Sequence, residues 1–289
     1  MAMHTSFLTH ASERYLWIAI LVAILSSIAF IFDEPTEPPN GGTPLGYTLG
    51  TIGALMILWL AYLGRRKRNF ARGWGTTVGW VSAHVYLGCA LLVIATLHTG
   101  FQFGWNIHTL AYVLMVCVIL SGVFGVFAYR TYPGARNELK KTKSLDDIFL
   151  QVEEVDSQLM RMANDAPEDI RNILNSAIER TVVGGGFLDQ VRARDNSVVE
   201  LGGRVESNKQ QQRALDYLLG RARELQGDEL KLLHDIIRIF NTRKRLLGII
   251  RDDIRMHAIT SVWLLVHIPI TFALIAALIA HVFAVFVYW

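Results

Sequence analysis

Long apolar stretches alternate with shorter polar ones over most of this chain. Five of them approach the length of about 20 residues that a helix needs to cross about 30 Å of hydrocarbon. They cover approximately 15–32, 46–63, 77–99, 109–129 and 258–288, and none contains Lys, Arg, Asp or Glu. The pattern therefore predicts five transmembrane helices.

The one long polar stretch, 130–257, separates the fourth apolar stretch from the fifth. Apolar residues recur at steps of three and four along 233–254, which predicts one amphipathic helix that continues into the fifth span. We interpret the glycine-rich stretch 182–203 as a flexible connection between helices. Capping-box patterns that begin helices occur at Ser144 with Asp147, Asp165 with Glu168, and Ser207 with Gln210.

These patterns predict an all-α integral membrane protein in three parts. The first part, 1–129, holds the N-terminal tail and four spans. The second, 130–257, is a helical insertion between the fourth and fifth spans, and the third, 258–289, is the fifth span.

The basic residues predict the orientation of the chain. All 28 Lys and Arg lie in 1–14, 64–76 and 130–257, whereas 33–45 and 100–108 contain none. Cytoplasmic segments of membrane proteins are enriched in Lys and Arg. We therefore expect a cytoplasmic N-terminus and insertion, a C-terminus on the outside, and a location in the bacterial inner membrane.

Composition excludes several classes of function. Only 18% of the residues are charged and 52% are hydrophobic, whereas soluble domains carry about 25% charged residues. A soluble enzyme and a nucleic-acid-binding domain are both inconsistent with these values. The two cysteines lie in apolar stretches, without the patterns that disulfide frameworks, zinc fingers, iron–sulfur clusters or c-type haem attachment require.

Four of the nine histidines lie within spans, and their spacing is regular. His84 and His98 are fourteen residues apart in the third span, and His267 and His281 are fourteen apart in the fifth. Fourteen residues rise about 21 Å and complete nearly four turns, so each pair occupies one helix face at two depths. Because these two spans run in the same direction, His84 and His267 share the inner depth, and His98 and His281 share the outer depth.

Two imidazoles at one depth could hold a flat metal macrocycle between them. Neutral imidazole is a good iron ligand, and two axial imidazoles fill both free positions of a haem iron, which leaves electron transfer as its chemistry. A tetrahedral zinc site fits less well, since it requires four clustered ligands. The alternative is that the rings are polar groups hydrogen-bonded to neighbouring helices, although ionisable residues inside a membrane are functional candidates by default.

Glycines on the neighbouring spans are candidate cofactor contacts. Glycine lets a backbone approach a planar ring closely. Gly50 and Gly53 lie in the second span, and Gly122 and Gly125 lie in the fourth. The same residues also fit small-residue helix packing, and both interpretations stay open.

Basic residues at the inner edge of the spans are candidates for binding anionic propionate groups, which prefer a polar boundary. The candidates are Arg65, Arg66 and Arg130. The outer edge has no basic residue.

Paired histidines at this spacing on two parallel helices resemble the di-haem b-type membrane cytochromes. These include the cytochrome b of quinol–cytochrome c reductases and the transmembrane domain of ferric reductases and NADPH oxidases. The resemblance implies a four-helix bundle of spans two to five with two haem b groups. The implied axial ligands are His84 with His267 for the inner haem, and His98 with His281 for the outer haem. The resemblance covers only the membrane spans, and it carries over neither quinol oxidation nor ferric reduction.

We therefore predict transmembrane electron transfer by the membrane subunit of an oxidoreductase complex, rather than a self-contained enzyme. The expected partners are membrane lipid and redox partner subunits, and nucleic acid is not expected. Whether a quinone or a second copy of the chain binds stays open. The alternative function is a non-redox membrane scaffold or sensor that binds partners through its cytoplasmic helices.

Overall fold

The structure, a computed structural model, describes Leu8 and residues 13–64, 76–131 and 144–287, without the side chains of 129–131. Five of its helices are long and apolar enough to cross a membrane, which confirms the predicted number of spans. They are α1 (Arg14–Phe32), α2 (Pro44–Ala61), α3 (Thr77–His98), α4 (Ile107–Thr131) and the long last helix α9 (Gly227–Val287).

The other described elements lie between α4 and α9. They are α5 (Leu145–Ala163), α6 (Glu168–Glu179), α7 (Phe187–Val191), β1 (Val198–Leu201), β2 (Arg204–Ser207), a 3-10 turn (Lys209–Gln211) and α8 (Gln212–Arg221).

The chain divides into two compact units. The membrane unit comprises residues 1–126 and 263–289, and the intervening unit comprises residues 127–262. Helix α9 is continuous from Gly227 to Val287. The apolar stripe of the intervening unit therefore continues into the fifth span without a break, as the periodicity predicts.

Side-chain caps begin two of the membrane helices. The Thr43 hydroxyl accepts a hydrogen bond from the Gly46 amide at 3.1 Å before α2. The Thr76 hydroxyl accepts one from the Gly79 amide at 3.1 Å before α3. Each cap satisfies a backbone donor that the first helical turn leaves without an intrahelical partner.

A hydrophobic cluster joins four helices of the membrane unit. Its buried members come from α2, α3, α4 and α9 and are Leu60, Leu91, Met115 and Leu274. The backbone of α3 also approaches those of α1 and α2 closely. Spans two to five thus share one apolar layer.

The connection between α1 and α2 and the connection between α3 and α4 contact each other at Gly100. This residue has a φ of 57°, and a Cβ atom there would lie 1.9 Å from the carbonyl oxygen of Pro39. Only glycine fits such an approach. The side-chain amide of Gln102 also donates a hydrogen bond to the Pro39 oxygen at 3.0 Å.

In the intervening unit, α5 packs antiparallel to the first half of α9. Near the start of α5, Ile148 and Val152 lie in one hydrophobic cluster with Leu247. Near its end, Leu159 lies in a second cluster with Phe240, to which α6 and α8 also contribute. The stripe predicted from the sequence is therefore the core-facing surface of α9.

A buried ion pair interrupts that stripe. The guanidinium group of Arg243 is only 1% exposed. Its Nε atom donates to Asp156 at 2.5 Å, and its Nη1 atom donates to Gln211 at 2.9 Å and to Thr181 at 3.2 Å. A charge removed from water requires this kind of pairing.

The described chain is mostly helical, but the expectation of helices alone is wrong at β1 and β2, and the predicted flexible connection is wrong for residues 182–203. They contain α7 and β1, and β1 pairs antiparallel with β2, with Leu201 opposite Arg204. The turn is Gly202–Gly203, with φ values of 54° and 79°. Two residues with positive φ match the right-handed twist of a hairpin, so the glycines specify a turn.

One of the three predicted capping boxes is confirmed. Ser144 and Asp147 exchange side-chain and backbone hydrogen bonds at the start of α5. The other two are wrong. Helix α6 begins after Pro167 without a side-chain cap, and Ser207 ends β2 because the strand pairing extends to it.

Two adjacent leucines of α8 provide a test of the hydrophobic core of the intervening unit. Leu218 is fully buried and Leu219 is 45% exposed. We expect Leu218→Ala to lower the free energy of unfolding of the intervening unit by about 2–5 kcal/mol. Leu219→Ala should change it by less than about 0.5 kcal/mol. Native-state hydrogen exchange of core amides in the full-length protein measures both values, and equal losses would contradict the assigned burial.

Asp169 should make the stability of this unit depend on pH. Burial alone would raise the pKa of its carboxyl group, but hydrogen bonds from Arg221 at 2.6 Å and Tyr217 at 3.0 Å hold that pKa below 3.8. A folded-state pKa below the unfolded value stabilises the fold above the unfolded pKa, and this contribution is lost as the pH falls through the folded pKa.

We therefore expect Asp169→Asn to destabilise the unit at neutral pH. Its difference from wild type should shrink once the pH falls below about 3.8. Asp228→Asn is the control, since that side chain is 97% exposed. Unfolding followed by circular dichroism from neutral to acidic pH measures the difference, and a constant gap across this range would count against the assignment.

Candidate haem sites formed by the histidine pairs

The structure brings the two outer histidines together. His98 ends α3, His281 lies near the end of α9, and their ring centres are 6.0 Å apart with the planes at 83°. A metal–imidazole nitrogen bond is about 2 Å long, and the ring centre lies roughly 1 Å further away, so two rings that share one metal ion have centres about 6 Å apart. The outer rings have the separation of two ligands on opposite sides of one ion.

Each outer ring is held through its Nδ1 atom. The Nδ1 atom of His98 lies 2.8 Å from the carbonyl oxygen of Gly46. Because a carbonyl only accepts, this nitrogen donates, and the lone pair of the neutral ring is on Nε2. The Nδ1 atom of His281 lies 2.5 Å from the Nδ1 atom of His108, so its Nε2 atom also takes no part in the anchoring contact. Nδ1 anchoring of this kind orients a metal-binding histidine.

A cavity of about 280 Å³ opens beside these rings. Leu91, Met115 and Leu274 contribute to its apolar walls, and Gln102 and Asn106 lie among its polar residues. An apolar cleft with few polar groups suits a mainly apolar ligand with a polar edge.

Gly50 and Gly53 both line this cavity but differ in what they accommodate. A Cβ atom at Gly50 would lie 2.6 Å from Cε1 of His98, whereas one at Gly53 would lie 3.6 Å from Leu91. The missing side chain of Gly50 thus makes room for the imidazole itself. Gly53 lies at an ordinary packing distance from α3.

The inner histidines are anchored in the same manner. The Nδ1 atom of His84 lies 3.1 Å from the carbonyl oxygen of Leu60. The Nδ1 atom of His267 lies 2.5 Å from the Ser121 hydroxyl. Both histidines of α3 therefore bind α2, and both histidines of α9 bind α4.

Trp263 and two glycines of α4 surround the His267 ring. The indole of Trp263 lies 5.3 Å from this ring, centre to centre, and donates to the Ser121 carbonyl at 2.8 Å. A Cβ atom at Gly125 would lie 2.4 Å from Trp263, and one at Gly122 would lie 3.8 Å from His267. Gly125 thus admits the indole, and Gly122 borders the imidazole.

The candidate propionate ligands lie outside this description. Arg65 and Arg66 are outside the described residues, and for Arg130 only the backbone at the end of α4 is described. Their role stays a prediction.

An apolar layer separates the two histidine levels. Leu91 is seven residues from both His84 and His98, and Leu274 is seven residues from both His267 and His281. Both leucines belong to the cluster that joins α2, α3, α4 and α9. An apolar cluster shared by four helices therefore lies midway between the inner and outer levels.

The sequence did not reveal which residues anchor the paired histidines. His108, Ser121 and Trp263 contact the paired histidines, yet no spacing rule points to them. His108 has the clearest signal, because it is a further histidine beside the fourth span. Ser121 precedes Gly122 and is otherwise typical of a small-residue packing motif.

Among the described residues, no group of three or more His, Cys, Asp or Glu side chains is arranged to hold a metal ion. The outer pair, His98 and His281, offers two imidazoles, a donor set that matches an ion whose other ligands come from a macrocycle. Searches of family models, curated proteins and solved structures find no match to this chain.

The two glycines of α2 provide a matched test of the His98 anchor. Gly→Ala inside a helix normally stabilises by about 1 kcal/mol, and Gly53→Ala should follow this rule or be neutral. Gly50→Ala should instead lower the melting temperature, because its methyl group displaces the His98 ring and weakens the bond to Gly46. Thermal unfolding of the full-length protein in detergent measures both variants, and equal melting temperatures would contradict the proposed packing.

Proposed function

We propose that this protein is a di-haem b-type cytochrome that carries electrons across a membrane. The observation that carries the proposal is the outer pair, His98 and His281, with ring centres 6.0 Å apart beside an apolar cavity. Their Nδ1 atoms are engaged by Gly46 and His108, which leaves Nε2 for a metal. The donor chemistry and the apolar cavity with its polar edge both suit a haem, and Gly50 makes room for the His98 imidazole that would bind it.

The inner histidines support the proposal of a second haem, because they repeat the spacing and the anchoring of the outer histidines. His84 and His267 stand fourteen residues before His98 and His281, and each is anchored through Nδ1 to the same helix as its outer counterpart. The two levels are about 21 Å apart along the helices, which is most of the hydrocarbon thickness of about 30 Å.

A bound haem supplies one-electron chemistry at its iron. The two imidazoles of each level would hold and orient one haem, and with two imidazoles on each iron no coordination position would remain for oxygen or a substrate. Leu91 and Leu274 place apolar side chains between the two levels. The inner-edge arginines Arg65, Arg66 and Arg130 are the proposed partners of the propionates of the inner haem.

The chain provides a path for electrons without a chemical step of its own, so we propose that it acts as the membrane subunit of an oxidoreductase complex. Its donor and acceptor are then a quinone or redox partner subunits. The distribution of basic residues supports a bacterial inner membrane location, with the N-terminus and residues 130–257 cytoplasmic and the C-terminus outside.

Absorption spectroscopy of the purified full-length protein tests this proposal. We expect a Soret band, a b-type α band after dithionite reduction, and two haems per chain by pyridine haemochrome. His98→Ala and His281→Ala should each remove the same haem, and His84→Ala and His267→Ala the other. His234→Ala is the control, since this residue is exposed in the intervening unit.

A colourless but stably folded protein would overturn the proposal and favour the scaffold or sensor function. Loss of one haem in His98→Ala but of the other in His281→Ala would keep the cofactor and reject the pairing.

A further inference from the structure

A short apolar segment stands exposed on the surface of the intervening unit. This α7 segment, residues 184–191, consists of three glycines followed by helix α7. Phe187 and Leu188 at the start of α7 are 54% and 64% exposed. Two neighbouring large apolar side chains that water can reach form a candidate contact surface.

Two arginines of α9 hold this segment from both sides. The Nη2 atom of Arg251 donates to the Val182 carbonyl at 3.2 Å, and the Nε atom of Arg255 donates to the Val191 carbonyl at 3.2 Å. These arginines are four residues apart and therefore lie on one face of α9. Arg251 also pairs with the buried Asp195 at 3.0 Å, which fixes the chain just beyond α7.

This attachment places the segment at the level where α9 enters the bilayer. The apolar stretch of α9 begins at Ala258, three residues after Arg255, which is about 4.5 Å along the axis. The polar interface extends roughly 5–7 Å beyond the hydrocarbon on each side of a membrane, and the five residues of α7 span only about 7 Å. The segment is therefore within reach of the lipid headgroups.

Two exposed arginines, Arg192 and Arg194, follow α7 directly. Asp189 lies 3.7 Å from Arg194 in a contact that leaves the Arg194 side chain 63% exposed. Apolar side chains insert favourably into the membrane interface, and arginines are attracted to anionic lipid headgroups. The positive charge of Arg192 and Arg194 is a local feature of the surface, because residues 130–257 as a whole carry a net charge close to zero.

We propose that the α7 segment is a membrane-contact site that inserts Phe187 and Leu188 into the interface of the leaflet that α9 enters. Arg192 and Arg194 bind the phosphate groups of anionic lipids there. Gly184 and Gly185, with φ values of 93° and 100°, allow the tight reversal that presents α7. The contact attaches the intervening unit to the bilayer at a second point, and it does not depend on haem binding.

Spin labels on the full-length protein in lipid nanodiscs test this contact. Cys89 and Cys117 are first changed to serine, and a nitroxide is attached through Leu188→Cys. The control label is attached through Leu219→Cys, since Leu219 is also exposed and lies beside Leu218, which clusters with Leu233. Leu233 is 22 residues before Arg255, about 33 Å along α9.

In nanodiscs of phosphatidylcholine with phosphatidylglycerol, we expect the label at position 188 to lose access to a water-soluble nickel complex and to retain access to oxygen. The label at position 219 should remain accessible to the nickel complex. Equal nickel access at both positions would overturn the proposal. Shielding that occurs only in nanodiscs with two copies of the chain would also overturn it, and would assign the surface to self-association.

The arginines have their own test. Replacing phosphatidylglycerol with phosphatidylcholine should partly restore nickel access at position 188. This dependence on lipid charge should disappear in Arg192→Gln/Arg194→Gln and persist in the control Arg223→Gln. Shielding that is the same in neutral and anionic nanodiscs would remove the assigned role of the arginines.

Discussion

An imidazole nitrogen among apolar helices needs a polar partner, and the membrane unit is arranged around four such nitrogens. Each ring engages its Nδ1 atom with a neighbouring helix. The partners are the Leu60 and Gly46 carbonyls on α2 for the α3 pair, and Ser121 and His108 on α4 for the α9 pair. These contacts fix the orientation of the rings, and the candidate cofactor sites depend on that orientation.

The packing of the membrane unit leaves room for the histidine rings at two levels and places apolar side chains between these levels. Gly50 admits the His98 ring against α2, and Gly125 admits the indole that lies beside His267. Midway between the two levels, Leu91 and Leu274 join the cluster shared by four helices. Polar anchoring and apolar packing thus alternate along the same helices, which is the arrangement that the proposed electron carrier requires.

The intervening unit obeys a related constraint. Its core is the apolar stripe of α9, yet Arg243 lies within that stripe and is almost completely buried. Asp156, Thr181 and Gln211 converge on its guanidinium group. Removing one partner of such a group leaves a buried charge without compensation, so the network favours the one arrangement of α5, α6 and α9 that satisfies it.

Features that depend on local periodicity and on hydrocarbon thickness could be predicted from the amino-acid sequence alone. These are the five spans, the continuous α9, the capping box at Ser144, and the two histidine levels fourteen residues apart. A helix has a fixed rise and turn per residue, so spacing alone places side chains along and around it. The Gly202–Gly203 turn was also encoded locally, but glycine pairs fit flexible connections as well as hairpins.

The groups that meet across helices are known only from the packed fold. Nothing in the spacing selects His108 or Ser121 as anchors, distinguishes Gly50 from Gly53, or ties the α7 segment to Arg251 and Arg255. These contacts join residues far apart in the chain, and they depend on the rotation and separation of packed helices. The rotation and separation of the helices result from the packing of all their side chains together. They therefore cannot be predicted from the periodicity of one helix.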